Sequence, residues 1–171
     1  MKPEEIQRLT DEYWMQRALE MAQKGAHLRE IPVGAIIIRT RTTPQELTQS
    51  AELIAEAHNE KELQNDPTAH AEVLAIQRAT KYFKNWRLAG CTLYVTLEPC
   101  IMCLGAIIAA RFDRVVVGAR DLKAGAIVST YKFLETTHFN HYPKIELDIL
   151  QESCSEILKT FFQNLRQNKK N

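Results

Sequence analysis

The chain has 171 residues, 45% of them hydrophobic and 25% charged, with a net charge of +1. That is enough apolar material for one substantial core and too little length for two typical domains, so residues 1–171 read as a single domain. A balance this close to neutral neither proves nor excludes an RNA partner, and any positive surface has to be local. No apolar run approaches bilayer-spanning length, and Met1-Lys2-Pro3-Glu4-Glu5 has neither the basic nor the apolar region of a secretory signal. A cytoplasmic location without a membrane partner is the expectation.

In chain order, Thr10 to Lys24 reads as a helix, with Thr10 as N-cap, Trp14, Ala18, Met21 and Ala22 along one face, and Gly25 as a stop. Val33 to Ile38 and Glu52 to Ala57 read as antiparallel strands joined by a long polar hairpin loop, about 39–51, that holds Pro44. A helix follows over 70–83, then a strand Cys91 to Leu97, a helix Ile101 to Arg111, and strands Arg114 to Val117 and Lys144 to Leu150. A helix from Cys154 to about Gln167 closes the chain ahead of a basic tail, about 166–171. Helices between successive strands imply parallel pairings and an α/β sheet covered on both faces.

Two fragments carry the chemistry: His70-Ala71-Glu72, and Pro99-Cys100-Ile101-Met102-Cys103 some thirty residues later. Cys100 and Cys103 share a helix face, Pro99 suits a first turn, and the exposed N–H groups there favour thiolate. His70 and Glu72 converge on one point if Asp66-Pro67-Thr68 forms the leading turn and His70 lies in the first turn of its helix, since side chains there lean toward the N-terminus. Alone, a CxxC pair is equally a redox pair or half of a structural zinc site, and an HxE recurs by accident in many helices. Together they supply three metal ligands and a spare carboxylate, the H-x-E and P-C-x-x-C pattern of zinc deaminases, in which the fourth metal position stays open for water. Cys91 and Cys154 read as buried, reduced thiols, with completion of a four-ligand structural site as the alternative.

Glu30-Ile31-Pro32-Val33-Gly34, Asn59, Asp66-Pro67-Thr68-Ala69-His70-Ala71-Glu72, Leu93-Tyr94-Val95-Thr96-Leu97-Glu98-Pro99-Cys100-Ile101-Met102-Cys103 and Gly118-Ala119-Arg120-Asp121 closely resemble the bacterial tRNA-specific adenosine deaminases. The likeness runs from about Tyr13 to about Arg166 and is interrupted by the loop near 40–50, which is longer than the family's. The resemblance implies a cytidine deaminase-like fold, a three-layer α/β/α sandwich around a mixed five-stranded sheet. It implies one zinc ion per subunit on His70, Cys100 and Cys103, Glu72 as the proton carrier, and conversion of adenosine to inosine at the wobble position of a tRNA anticodon, most simply that of an arginine tRNA, by a homodimer.

For the substrate, the resemblance implies that Asn59 hydrogen-bonds the target purine, with Ile31, Pro32 and Val33 packed around it. Asp121 falls at the position beside the ribose upstream, Lys123 and Arg120 are candidates for phosphates, and Phe162 of the Phe161-Phe162 pair for stacking on a loop nucleotide. Each has a plainer reading: a turn residue for Asn59, a loop acid or cap for Asp121, exposed basic residues for Lys123 and Arg120, and core positions of an amphipathic helix for the two phenylalanines. Residues 157–171 carry four basic and no acidic side chains, leaving the preceding chain at about −3. The tail is less arginine-rich than the family's, and Arg39 and Arg41 in the enlarged loop are candidates to supplement it. A deaminase of a free nucleobase or nucleoside (guanine, cytosine or cytidine) shares the same zinc kit, and a non-catalytic zinc module is the third reading; Glu72 argues against the last, because a dead scaffold has no need of an unligated acid there.

Overall fold

The computed structural model describes residues 2–41, 50–136 and 138–168. In chain order they form α1 (Pro3–His27), β1 (Gly34–Arg41), β2 (Ser50–His58), α2 (Lys61–Gln64), α3 (Ala71–Phe83), β3 (Cys91–Leu97), α4 (Ile101–Ala110), β4 (Arg114–Ala119), α5 (Phe133–Thr136), β5 (Lys144–Glu146) and α6 (Gln151–Asn168). The five strands make one sheet in the order β2-β1-β3-β4-β5. β1 is antiparallel to both β2 and β3, whereas β3, β4 and β5 run parallel, so the sheet is mixed, as expected. The parallel pairs are those whose connections cross over a face of the sheet.

Side-chain alternation splits the core into two layers. Ile36, Ile38, Tyr94 and Val116 pack with Trp14, Met15, Ala18 and Leu19 of α1 and Cys154 of α6 on one face. Ala35, Ile37, Leu93, Val95, Val115 and Val117 pack with Leu74 and Ala75 of α3 and Leu104 and Ile107 of α4 on the other. The result is the three-layer α/β/α sandwich. On the α1 face, Asp11 is buried and takes both arms of the Arg114 guanidinium at 2.6 Å each, plus the Tyr94 hydroxyl at 2.8 Å. This pins α1 to the start of β4 and the middle of β3.

Several boundaries differ from those read from sequence. α1 begins at Pro3 rather than Thr10: Pro3 fills the first position, Glu4 and Glu5 the acidic first turn, and the Thr10 hydroxyl bonds back to the Ile6 carbonyl inside the helix. Gly25 does not stop α1; it is a buried helical residue whose missing side chain lets His58 approach. β5 covers only Lys144–Glu146, because Asp148 and Leu150 take left-handed φ values of 65° and 51° that turn the chain out of the sheet. Two short helices, α2 and α5, were not anticipated. β1 and β2 extend into the polar loop, and residues 42–49 of it, like Lys169 and Lys170 of the tail, lie outside the described residues. Arg39, a candidate for RNA contact, stacks its guanidinium on the Phe83 ring at 5.2 Å.

Candidate active site

The two motif fragments meet where α3 and α4 begin. Asp66 accepts hydrogen bonds at one carboxylate oxygen from the Thr68 N–H and hydroxyl, both at 2.7 Å, closing the turn that leads into α3. These contacts also hold the Asp66 carboxyl below its ordinary range. His70 is the N-cap of α3 rather than a first-turn residue, in extended backbone with φ −79° and ψ 151°. Cys100 is likewise the N-cap of α4, and Cys103 lies buried in its first turn. Both expected helix starts are present, α3 one position later than expected and α4 at the expected Ile101.

The His70 Nδ1 atom lies 3.5 Å from the Cys103 sulfur and 3.8 Å from that of Cys100, and the three ligand atoms are all within 4.8 Å of one another. Zinc bonds of about 2.0 Å to nitrogen and 2.3 Å to sulfur in a tetrahedron set ligand-to-ligand edges of roughly 3.5–3.8 Å. Both the spacing and the soft, borderline donor set therefore fit a zinc ion with a fourth position open. Among the described residues this is the one such cluster, and neither Cys91 nor Cys154 belongs to it. Those two are buried free thiols, pushed up by burial to about 11 and about 12, as inert structural cysteines should be.

Charge at the site is strongly coupled. The Cys103 thiol, and then the His70 ring, hold the Cys100 thiol down to about 3 against the opposing effect of burial, while Cys103 moves up because its neighbour ionises first. His70 is raised in turn by its bond to Cys100. Glu72, in the first turn of α3, is 4% exposed, and burial pushes its carboxyl up to about 6. A carboxyl near neutrality beside a metal-ligand cluster is suited to accept and return a proton.

Asn59 follows β2 and is buried; its side-chain oxygen accepts the Ala71 N–H at 2.9 Å, capping α3 immediately beside His70. This fixes the amide by its oxygen, so its NH2 group is the end offered to a ligand. The adjoining segment is rigid as well: Pro32 and Val33 are buried, Ile31 is half-buried, and the Asn59 N–H donates to the Val33 carbonyl at 3.2 Å. Ile31 and Phe162 line one cleft together with Leu28, Lys61 and Leu63. Phe162 is 40% exposed rather than a core position and meets Phe161 edge to face.

Asp121 closes its own turn by accepting the Lys123 and Ala124 N–H groups at 2.9 and 3.2 Å, so its capping reading holds whatever else it does. Lys123 is exposed, whereas the Arg120 guanidinium is doubly bonded to Asp148 at 2.9 and 2.7 Å and is not free for phosphate.

Two buried acids were quoted in the sequence only as context. Glu30 accepts the Leu63 N–H at 2.8 Å, tying α2 to the segment before β1. Glu98, two residues before Cys100, is 2% exposed and accepts backbone N–H groups from Asp121, Ile127, Val128 and Ser129. A carboxylate at the end of an otherwise apolar strand was the available signal for Glu98.

The sequence profile of the MafB19-like deaminases matches residues 9–166. Fold and site thereby define the class, a deaminase with the cytidine deaminase-like architecture. A tRNA-specific adenosine deaminase of Haemophilus influenzae is 44% identical over 160 residues, covering 94% of this chain and 87% of its own length. A solved structure from work on A-to-I editing by tRNA:A34 deaminases at the wobble position superimposes with a TM-score of 0.77 at 35% identity, covering 85% of this chain and 99% of that one. A guanine deaminase of Bacillus subtilis gives a TM-score of 0.57 at 32% identity, covering 91% and 93%. The chain belongs to the tRNA-specific adenosine deaminase family.

Proposed function

We propose that this protein hydrolyses adenosine to inosine and ammonia at the wobble position of a tRNA anticodon, as a single catalytic domain holding one zinc ion on His70, Cys100 and Cys103. The observation that carries the reading is Glu72: an acid, buried and unligated, beside a complete three-ligand set. Zinc, when bound there, supplies a Lewis acid that brings the ionisation of water close to neutral pH. Glu72 takes one proton from the attacking water and delivers it to purine N1 as oxygen adds to C6, then takes the remaining proton from the C6 hydroxyl and gives it to the amine, which leaves as ammonia as the C6 carbonyl forms. The Asn59 NH2 group donates to the purine, while Ile31, Pro32 and Val33 wall the pocket. Asp121 and Lys123 face the neighbouring sugar and phosphate, and Phe162 stacks on a loop nucleotide. An anticodon loop is already single-stranded, which lowers the cost of extruding its base. The tRNA is an arginine tRNA, the working form is a homodimer, and the compartment is the cytoplasm. Family membership supports these assignments, and no helix among the described residues is long and apolar enough to cross a membrane.

The likeness to a guanine deaminase favours one second reading, action on a free nucleobase. Zinc-loaded protein incubated with an anticodon stem-loop carrying wobble adenosine, and separately with free adenosine, guanine and cytidine, separates the two. Inosine in the stem-loop alone, lost in Glu72→Ala while zinc is retained, is the expected outcome. Turnover of a free base overturns the RNA assignment, and loss of zinc from Glu72→Ala overturns its role as an unligated proton carrier. His70→Ala and Cys103→Ala should lose the metal instead.

A further inference from the structure

Glu98 stands between the metal-ligand helix and the loop that carries Asp121 and Lys123. One carboxylate oxygen accepts the N–H groups of Ile127, Val128 and Ser129 at 3.1, 2.8 and 3.0 Å. The other accepts the Asp121 N–H at 3.1 Å and the Ser129 hydroxyl. Five donors converge on a group with about four lone pairs. Among the described residues Glu98 forms no ion pair; Arg120, next to Asp121, turns to Asp148 instead. The carboxylate is thus held almost entirely by the backbone of one loop. That loop also docks on the other side of Cys100's neighbour, where the Ala126 N–H donates to the Pro99 carbonyl at 2.9 Å. Gly125 admits the arrangement by close approach: a Cβ there would lie 2.5 Å from Glu98 Cδ and Oε2 and from the Asp121 carbonyl.

We propose that Glu98 is a positioning residue for RNA, fixing the Asp121–Tyr131 loop against the start of α4 so that the affinity for the RNA, rather than the chemical step, depends on its carboxylate. The inference rests on the RNA deaminase reading above and deepens it. A bidentate acceptor is what the geometry requires. Glutamine retains one oxygen for the three N–H groups at Ile127–Ser129 but presents an NH2 to the Asp121 N–H, which cannot reverse its polarity. The Ser129 hydroxyl can rotate to accept instead. Glu98→Gln therefore releases the Asp121 end of the loop while leaving the rest anchored.

Steady-state kinetics of zinc-loaded Glu98→Gln on the anticodon stem-loop, beside wild type and with zinc content measured, test this. The expected result is a KM raised about tenfold, the order set by one lost hydrogen bond to a charged group, with kcat within about twofold and zinc retained. A merely structural acid would lower zinc content and kcat together or change neither parameter. Gly125→Ala, which displaces Glu98 from the opposite side, should raise KM in the same way and decides the matter if Glu98→Gln does not fold. Wild-type KM in whichever variant folds, or joint loss of kcat and zinc, overturns the inference alone. A wild-type protein silent on the stem-loop overturns the deaminase reading and this inference with it.

Discussion

Asp11 and Glu98 are both buried carboxylates, at opposite ends of the parallel strands β3 and β4, and they are neutralised in opposite ways. Asp11 meets the guanidinium of Arg114, the first residue of β4, and the phenol of Tyr94, in the middle of β3. Glu98 meets backbone N–H groups of a loop beyond the strand ends, next to the metal ligands. The first arrangement joins elements that must never separate. The second holds in place a segment with no regular structure of its own, at the end where open α/β sheets bind ligands. A buried ion pair at one end and a backbone clamp at the other predict different costs of disruption: stability at the Asp11 end, substrate handling at the Glu98 end.

The largest effect sharpens that division at the catalytic end. Glu72→Gln keeps shape and hydrogen bonding but cannot carry a proton, so kcat on the stem-loop should fall by about 10²–10⁴-fold. The melting temperature should hold or rise, because burial already disfavours the charged acid that is being removed. A clear fall in melting temperature, measured by calorimetry, would show that Glu72 is structural and would blur the two ends. Next in size, Asp11→Ala removes both short bonds to Arg114, whose side chain is 14% exposed and keeps only the Glu146 carboxylate at 3.6 Å, and should cost about 3 kcal/mol in denaturant unfolding, with turnover of the folded protein unchanged. The double replacement Asp11→Leu with Arg114→Met should recover most of that loss.

Sequence reading succeeded where the signal was short-range. Cys100 and Cys103 at one helix start, and His70 and Glu72 at another, are each specified by a few consecutive residues and a turn, and the structure brings all four together within a position of where they were expected. It failed where the deciding contact is remote. Thr10 resembles a cap only until Pro3 and two acids are seen to start the helix earlier, and Gly25 resembles a stop until His58 packs against it. The Asp11–Arg114 pair spans 103 residues. Glu98 bonds to N–H groups 23 to 31 residues away, and a backbone donor has no signature in the sequence. Asn59 shows both sides at once: its turn-side role, capping Ala71, is visible in the geometry, and that same bond aims the NH2 group its substrate role requires.

A smaller effect tests the α1 interface apart from its charges. A Cβ at Gly34 would lie 1.9 Å from the Ala18 carbonyl oxygen and 2.7 Å from the Ala22 nitrogen, both backbone atoms that no rotamer change can move. Gly34→Ala must push α1 off the sheet, and a loss of about 1–3 kcal/mol in denaturant unfolding is expected. An unchanged stability would mean that α1 is held by the Asp11 cluster and not by close packing.

The smallest effect lies at the boundary between the two ends, at the exposed pair Arg120–Asp148. The Arg120 guanidinium holds the Asp148 carboxyl below its ordinary value of 3.8. Its stabilising contribution is therefore present above that value and lost as pH falls through the lowered one. Asparagine tolerates the left-handed backbone at this position, φ 65°, and removes the charge cleanly. Asp148→Asn should flatten the acid limb of stability slightly. It should also free Arg120, one residue before Asp121, to meet a phosphate, and the salt dependence of stem-loop binding should then steepen by about one unit in log–log slope. An unchanged slope with a flattened acid limb would place Arg120 with the purely structural charges, alongside Arg114, and confine the RNA-facing surface to the loop that Glu98 holds.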